Sequence, residues 1–129
     1  MLFSVQHTAK YFNVSKQDTI LFDRILINTG SGYSARHGEF TAPVSGLYQV
    51  SYRGWCSREQ HYYLGLKKND DIISELPVGD KDFESASSQS LVVHLQQGDF
   101  LSVVVYGDAT VTMMGEDRTT FMGYLLKAD

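Results

Sequence analysis

The run Asp80-Lys81-Asp82-Phe83-Glu84 sets three carboxylates at alternate positions of one short stretch. Hard cations take several carboxylate oxygens from a flexible loop, so Asp80, Asp82 and Glu84 form a candidate calcium set. The same run also fits a solvated acidic loop interrupted by Lys81, and the residues leave both open. A second chemistry-bearing stretch is Tyr52-Arg53-Gly54-Trp55-Cys56-Ser57-Arg58-Glu59-Gln60-His61-Tyr62-Tyr63. Aromatic rings stack on the apolar face of a pyranose, and arginine pairs bidentately with carboxylate or phosphate. Arg53, Trp55, Arg58 and Gln60 are therefore candidates for holding sugars or anionic groups. For Tyr52, Trp55 and Tyr62 the competing role is packing in a core or subunit contact. Arg36 and His37, beside Tyr33, and Glu116-Asp117-Arg118 add exposed polar candidates.

Catalytic patterns are missing. The chain has no Gly-x-Ser-x-Gly elbow, no His-Glu-x-x-His helix, no glycine-rich phosphate loop and no cysteine pair. His7, His37, His61 and His94 are scattered, without the His-x-His spacing of a metal-dependent sheet protein. A non-enzymatic protein is expected. The formal charge of -4 comes without a Lys/Arg cluster, and displacing counterions from phosphates needs one, so nucleic acid is excluded as a partner. No apolar run approaches the roughly 20 residues of a membrane-spanning helix, and Met1-Leu2-Phe3-Ser4 lacks the charged and apolar regions of a signal peptide. Cys56 is the single cysteine, which rules out an intrachain disulfide and leaves a buried thiol or a link between chains. Asn13-Val14-Ser15 fits the glycosylation acceptor pattern, although so short a pattern also arises by chance.

The elements that must position these residues are strands. Beyond Pro43 and Gly46, Tyr48, Val50 and Tyr52 share one face while Gln49 and Ser51 share the other, the period of a half-buried strand. Pro43 cannot donate to a ladder and Gly46 permits a bend, so the chain turns between Phe40 and Leu47. The predicted strands are 3–8, 19–27, 39–42, 46–54, 61–67, 72–75, 88–96, 99–106 and 119–126, with no amphipathic helix. Turns are expected at Asn28-Thr29-Gly30-Ser31-Gly32, Lys68-Asn69-Asp70-Asp71 and Gln97-Gly98-Asp99, the tightest hairpin falling at Gln97-Gly98. Pro77–Ser87 and Gly107–Arg118 read as long surface loops, where function is expected. Eight Tyr and seven Phe are enough to fill a sandwich core, and 129 residues fit a single domain, 1–129. Phe100–Tyr106 and Phe121–Leu126 are apolar on both faces. A two-layer sandwich has one core, so a second apolar face predicts burial against another subunit.

The ordered motifs Phe3-Ser4-Val5, Thr19-Ile20-Leu21-Phe22-Asp23, Gly38-Glu39-Phe40-Thr41-Ala42-Pro43, Gly46-Leu47-Tyr48, His94-Leu95-Gln96-Gln97-Gly98-Asp99 and Phe121-Met122-Gly123-Tyr124-Leu125-Leu126 resemble the globular head of complement component C1q. That head belongs to the C1q and tumour-necrosis-factor superfamily. Asn28, Tyr33, Leu66 and Asn69 extend the likeness over nearly the whole chain. The resemblance implies an all-β, ten-stranded jelly-roll sandwich assembled as a homotrimer, secreted, without catalysis, its loops offered to ligands at the outer end. It implies a signal peptide absent from this chain. It also places calcium, as in several relatives, on acids just before the strand 88–96, where Asp80, Asp82 and Glu84 stand. Members recognise microbial or altered surfaces, act as hormones or organise synapses, so two roles follow. One is innate-immune binding of glycans, lipopolysaccharide or anionic groups; the other is adipokine-like or cerebellin-like signalling to a receptor. The chain departs from the pattern in having no collagen-like Gly-X-Y arm and in placing Val50 where an aromatic often follows Gly-x-Tyr.

Overall fold

The computed structural model describes residues 1–15, 18–57, 61–106 and 111–129, without the side chains of Val111 and Thr112. Every regular element among them is a strand. In chain order these are β1 (Leu2–Gln6), β2 (Tyr11–Val14), β3 (Arg24–Thr29), β4 (Tyr33–Ser34), β5 (Glu39–Thr41), β6 (Gly46–Cys56), β7 (His61–Lys68), β8 (Asp71–Gly79), β9 (Ser85–Leu95), β10 (Phe100–Tyr106), β11 (Val111–Met114) and β12 (Thr120–Ala128). Ten of them form two five-stranded antiparallel sheets, β3-β1-β12-β6-β9 and β4-β5-β10-β7-β8, and β11 pairs with β2 as a separate ribbon. Two antiparallel sheets whose chain crosses repeatedly from one to the other make a jelly-roll sandwich.

The core lies where alternation predicted it. Tyr48, Val50 and Tyr52 of β6 and Phe3 and Val5 of β1 point inward, meeting Leu64 and Leu66 of β7 and Leu101, Val103 and Val105 of β10. Aromatic rings fix its centre: Phe3 stacks on Phe40 at 4.3 Å and meets Phe121 edge-on at 4.8 Å. Such offset and edge-to-face pairs add about 0.5–1.5 kcal/mol each beyond area burial. Cys56 is fully buried, and burial pushes its thiol up from the ordinary value.

Several sequence expectations are corrected. The predicted strand 19–27 splits, because the chain leaves one sheet and joins the other. Thr19 bridges Val104 at the margin of the second sheet, whereas 24–29 form the edge strand of the first. Between them Ile20 and Phe22 enter the core, and the Tyr33 hydroxyl substitutes for a neighbouring strand. It accepts from the Phe22 amide at 3.1 Å and donates to the Phe22 carbonyl at 2.9 Å. Burial pushes that hydroxyl up to about 12. The Gln97-Gly98 turn is tight, with Asp99 N donating to Gln96 O and Gly98 at φ 93°, but it carries the chain from β9 across to β10 and closes no hairpin. The two-residue hairpin is Asn69-Asp70 between β7 and β8, with Asn69 at φ 55°. Gly46 has no positive φ. It is small because a Cβ there would sit 2.4 Å from the Lys127 carbonyl oxygen.

The two apolar strands behave differently. In β10 the second face points outward but is shielded by its own neighbours: Ser102 and Val104 are 5% and 3% exposed, Thr19 pairs alongside Val104, and Lys67 and Ile72 flank it. That strand therefore gives no reason for a partner subunit. In β12 the second face is open, with Met122 36% and Tyr124 37% exposed. The register extends this surface across the first sheet, in the rows Ile27-Ser4-Met122-Ser51-Ser90 and Thr29-Leu2-Tyr124-Gln49-Val92. Ile27, Leu47 and Val92 enlarge it, and Gln49 and Ser51 both hydrogen-bond to Ser90 within it.

Candidate ligand-binding surface

The described parts of both stretches read as long loops lie at one end of the sandwich, beyond the last residues of β6. Cys56 pairs with Ser85 and His61 with Gly79, so β6, β7, β8 and β9 all reach this end. The loop between β8 and β9 is shorter than expected, because β8 runs on through Pro77 to Gly79 and β9 begins at Ser85. Pro77 is accommodated in β8, which pairs on one side only. What remains is Asp80–Glu84, the candidate calcium run. The Asp80 carboxylate accepts from the Asp82 amide at 2.8 Å and the Phe83 amide at 3.3 Å, an Asx turn that presents Phe83 at 71% exposure. Among the described residues no three His, Cys, Asp or Glu side chains gather as one metal ion requires. Asp80, Asp82 and Glu84 share a loop without converging, and Asp80 turns one oxygen to the backbone amides of Asp82 and Phe83.

The second long stretch is also largely structured. Its residues 111–114 pair with Tyr11–Val14, and the turn that follows is stapled to the segment after β1. Gly115 N donates to Lys10 O, Glu116 N to Ala9 O, Asp117 N to His7 O and Arg118 N to Gly115 O. Glu116 and Asp117 adopt φ of 45° and 64°, the mirror image of a common turn and an unfavourable region for residues with a Cβ. These contacts make Glu116-Asp117-Arg118, expected as exposed polar candidates, structural parts. Asp117 pairs with Arg24 at 2.9 Å, and Arg118 lays its guanidinium 4.1 Å from the centre of the Trp55 ring. His7 packs beside this turn, stacked on Phe12 at 3.6 Å. Its Nδ1 is buried without a hydrogen-bond partner among the described residues, and burial holds its pKa below the ordinary value despite the nearby Asp23 carboxylate.

The sugar- and anion-binding candidates therefore separate. Trp55 is 6% exposed, and Arg118 covers its ring, so within a protomer it offers no open face for stacking. Tyr52 and Tyr62 are core residues. Arg53 is exposed on the outer face of β6 between Thr120 and Ser88, one row beyond the apolar surface of the first sheet. Arg58 and Gln60 lie outside the described residues. Arg36 and His37 sit elsewhere, in the turn joining β4 to β5, where His37 Nδ1 is 3.1 Å from Ser34 Oγ. That turn packs on the Thr19–Leu21 segment through Gly38, so the structure does not bring them to Arg53. His94, at the opposite end, pairs with Asp129 at 2.9 Å.

Sequence reasoning missed Arg118 as the partner of Trp55 and missed the outward face of the second sheet. There Tyr63 and Tyr106 meet edge-on at 6.0 Å, and Tyr106 Oη donates to Glu75 Oε1 at 2.7 Å. An exposed tyrosine in a half-polar strand was the available signal.

A jelly roll of two five-stranded sheets, with one sheet's outer face left apolar and its longer loops gathered at one end, defines the class of C1q and tumour-necrosis-factor globular domains. The profile of the C1q domain matches residues 2–126, and the chain belongs to the C1q family. It is 29% identical over 126 residues to the heavy metal-binding protein HIP of Mytilus edulis, covering 96% of this chain and 59% of that protein. It is 28% identical over 117 residues to complement C1q tumor necrosis factor-related protein 6 of Rattus norvegicus, covering 86% of this chain and 44% of that protein. The chain thus spans about half the length of these curated relatives. Among solved structures, the globular domain of zebrafish complement 1qA superimposes with a TM-score of 0.73 at 19% identity, covering 99% of this chain and 98% of that one. The Eiger tumour necrosis factor of S. frugiperda gives 0.77 at 16% identity, covering 100% and 93%. These likenesses establish the fold. The family consists of non-enzymatic ligand and recognition proteins, and no helix among the described residues is long and apolar enough to cross a membrane.

Proposed function

We propose that this chain is a secreted recognition head that assembles as a homotrimer and binds carbohydrate or anionic groups on microbial or altered surfaces in innate immunity. The observation that carries this reading is the open apolar face of the first sheet, built on Met122, Tyr124, Leu47, Val92 and Ile27, which water should not face unaided. Domains of this family form trimers, and a three-fold seam on that face leaves the loop end and the second sheet free. Trimerisation makes weak sites sufficient, because once one head is bound the others act at an effective concentration near millimolar. Arg53, with Arg58 and Gln60 from the sequence, serves anionic groups at the margin of the seam, and Arg36 and His37 supply a separate polar contact. Calcium at Asp80, Asp82 and Glu84 requires donors from more than one copy, because a single loop does not gather them. The mussel relative's name, a heavy metal-binding protein, adds a reason to test metal dependence here.

The 28% identity to a C1q tumor necrosis factor-related protein favours a second reading, in which the same trimer signals to a cell-surface receptor. A glycan array and whole-bacterium binding, each with and without chelator, separate the two. Glycan or bacterial binding supports recognition; saturable nanomolar binding to one cell-surface receptor, with no glycan signal, replaces it by signalling.

A further inference from the structure

We infer that the outward face of the second sheet carries a saccharide site, a recess lined by Lys67, Asp70, Ile72 and Val104 with Tyr63 and Glu75 in the adjacent rows of the same face, that takes a neutral hexose or an amino sugar. The ligand class rests on the recognition reading above; the location does not. The register sets Tyr106-Tyr63-Pro77, Val104-Gly65-Glu75 and Ser102-Lys67-Ile72 as successive rows on this face. Ile72 and Val104 close over Gly65 in the middle row, and Lys67, Asp70, Ile72 and Val104 line a recess of about 260 Å³ towards one end of these rows. That is smaller than the roughly 300–1,000 Å³ of pockets for drug-sized ligands, and it suits one or two sugar rings.

The lining chemistry matches a pyranose, which shows a CH face on one side and hydroxyls around its rim. Tyr63 is 46% exposed and is held edge-on by Tyr106, whose own hydroxyl is tied to Glu75. An aromatic platform fixed before binding loses little freedom when a ring stacks on it. The second Glu75 oxygen and the Asp70 carboxylate accept hydroxyl hydrogens, and Lys67 donates. Two carboxylates against one ammonium repel a sialic acid and favour a neutral or cationic sugar. The face is on the opposite side of the sandwich from Met122 and Tyr124, so self-association through the first sheet leaves it open.

Saturation-transfer NMR with methyl mannoside, methyl galactoside, methyl N-acetylglucosaminide and 3′-sialyllactose tests the site on the parent protein and on Tyr63→Ala, Gly65→Ala and Tyr11→Ala. Gly65→Ala keeps the fold, because its Cβ meets Val104 and Ile72 at 3.4 and 3.5 Å, ordinary contact distances. Tyr11 is equally open, at 52%, and lies on the separate ribbon as a control. The expected result is transfer to at least one neutral glycoside, with its Kd raised at least fivefold by Tyr63→Ala and at least twofold by Gly65→Ala, and unchanged by Tyr11→Ala. A neutral glycoside bound equally by all four proteins overturns the location and leaves the recognition reading standing. Transfer to sialyllactose alone overturns the ligand class. No transfer, together with a blank glycan array, overturns both.

Discussion

Replacing Tyr124 by Asp should dissolve the self-association proposed for the first sheet while leaving each protomer folded. Tyr124 lies in the middle of the open face, 37% exposed, between Leu2 on β1 and Gln49 on β6. Its side chain points away from the core, so the carboxylate is solvated in a single copy and the far-UV spectrum and melting temperature of that copy should hardly move. In a three-fold seam, each copy would bury a carboxylate without a partner. An uncompensated buried charge costs about 3–5 kcal/mol, so three copies cost at least ~9 kcal/mol. At about 1.4 kcal/mol per decade this is roughly six decades in the dissociation constant. Water entering the seam reduces the cost, yet even about 1 kcal/mol per copy gives roughly two decades. Light scattering coupled to size exclusion, at micromolar protein, should report three times the chain mass for the parent and one chain mass for the variant. A Tyr124→Asp protein that stays at triple mass refutes the placement of the seam, and a parent at single-copy mass removes the avidity mechanism as well.

Further outcomes follow from individual contacts. Gly46→Ala places a Cβ 2.4 Å from the Lys127 carbonyl and 3.0 Å from the Ala128 Cα, both backbone, and overpacking of about 1–3 kcal/mol should lower the melting temperature by roughly 3–10 °C in calorimetry. Arg118→Ala uncovers the chain's single tryptophan: the Trp55 emission maximum should shift to the red and quenching by iodide should rise, with a stability loss of about 0.5–1 kcal/mol. His7 is held below the ordinary 6.5 by burial. The unfolded chain therefore binds more proton than the folded one beneath pH 6.5, and stability is lost as pH falls through that window towards the depressed folded value. His7→Phe, which keeps the stack on Phe12, should flatten the fall of melting temperature between neutral pH and pH 5; an unchanged slope contradicts the assignment. For Asp23, burial alone would raise the carboxyl, but hydrogen bonds from Thr8 bring it below 3.8. Its contribution is lost only at lower pH, outside the His7 window.

Alternation made the sandwich legible. Leu91, Val93 and Leu95 of β9 pair with Val50, Tyr48 and Gly46 as their spacing implies, and Pro43 does mark the crossing from β5 to β6. Short strands whose partners are remote in sequence left no such trace. Tyr11–Val14 has only four residues, and its partner Val111–Met114 lies in a stretch that looks like a loop until the two meet. Side-chain roles set by distant backbone were also hidden. Gly46 reads as a bend, yet what it accommodates is the last strand's carbonyl, and Trp55 reads as a stacking platform although Arg118 lies across it. The apolar second face of Phe100–Tyr106 misled because strand periodicity cannot tell a neighbouring subunit from the chain's own Thr19 segment.

The position of β12 has a consequence for biosynthesis. The domain's final strand in chain order lies at the centre of its sheet, hydrogen-bonded to β1 on one side and β6 on the other. Until β12 has emerged from the ribosome, Phe3 and Tyr52 lack the Phe121 side of their layer and both neighbours expose unsatisfied backbone. Closing ladders between such remote segments is slow, so the nascent polypeptide spends its elongation as an open-edged intermediate exposed to aggregation and to holdase chaperones. A stop codon that removes β12 would not trim the domain but leave it without a keystone.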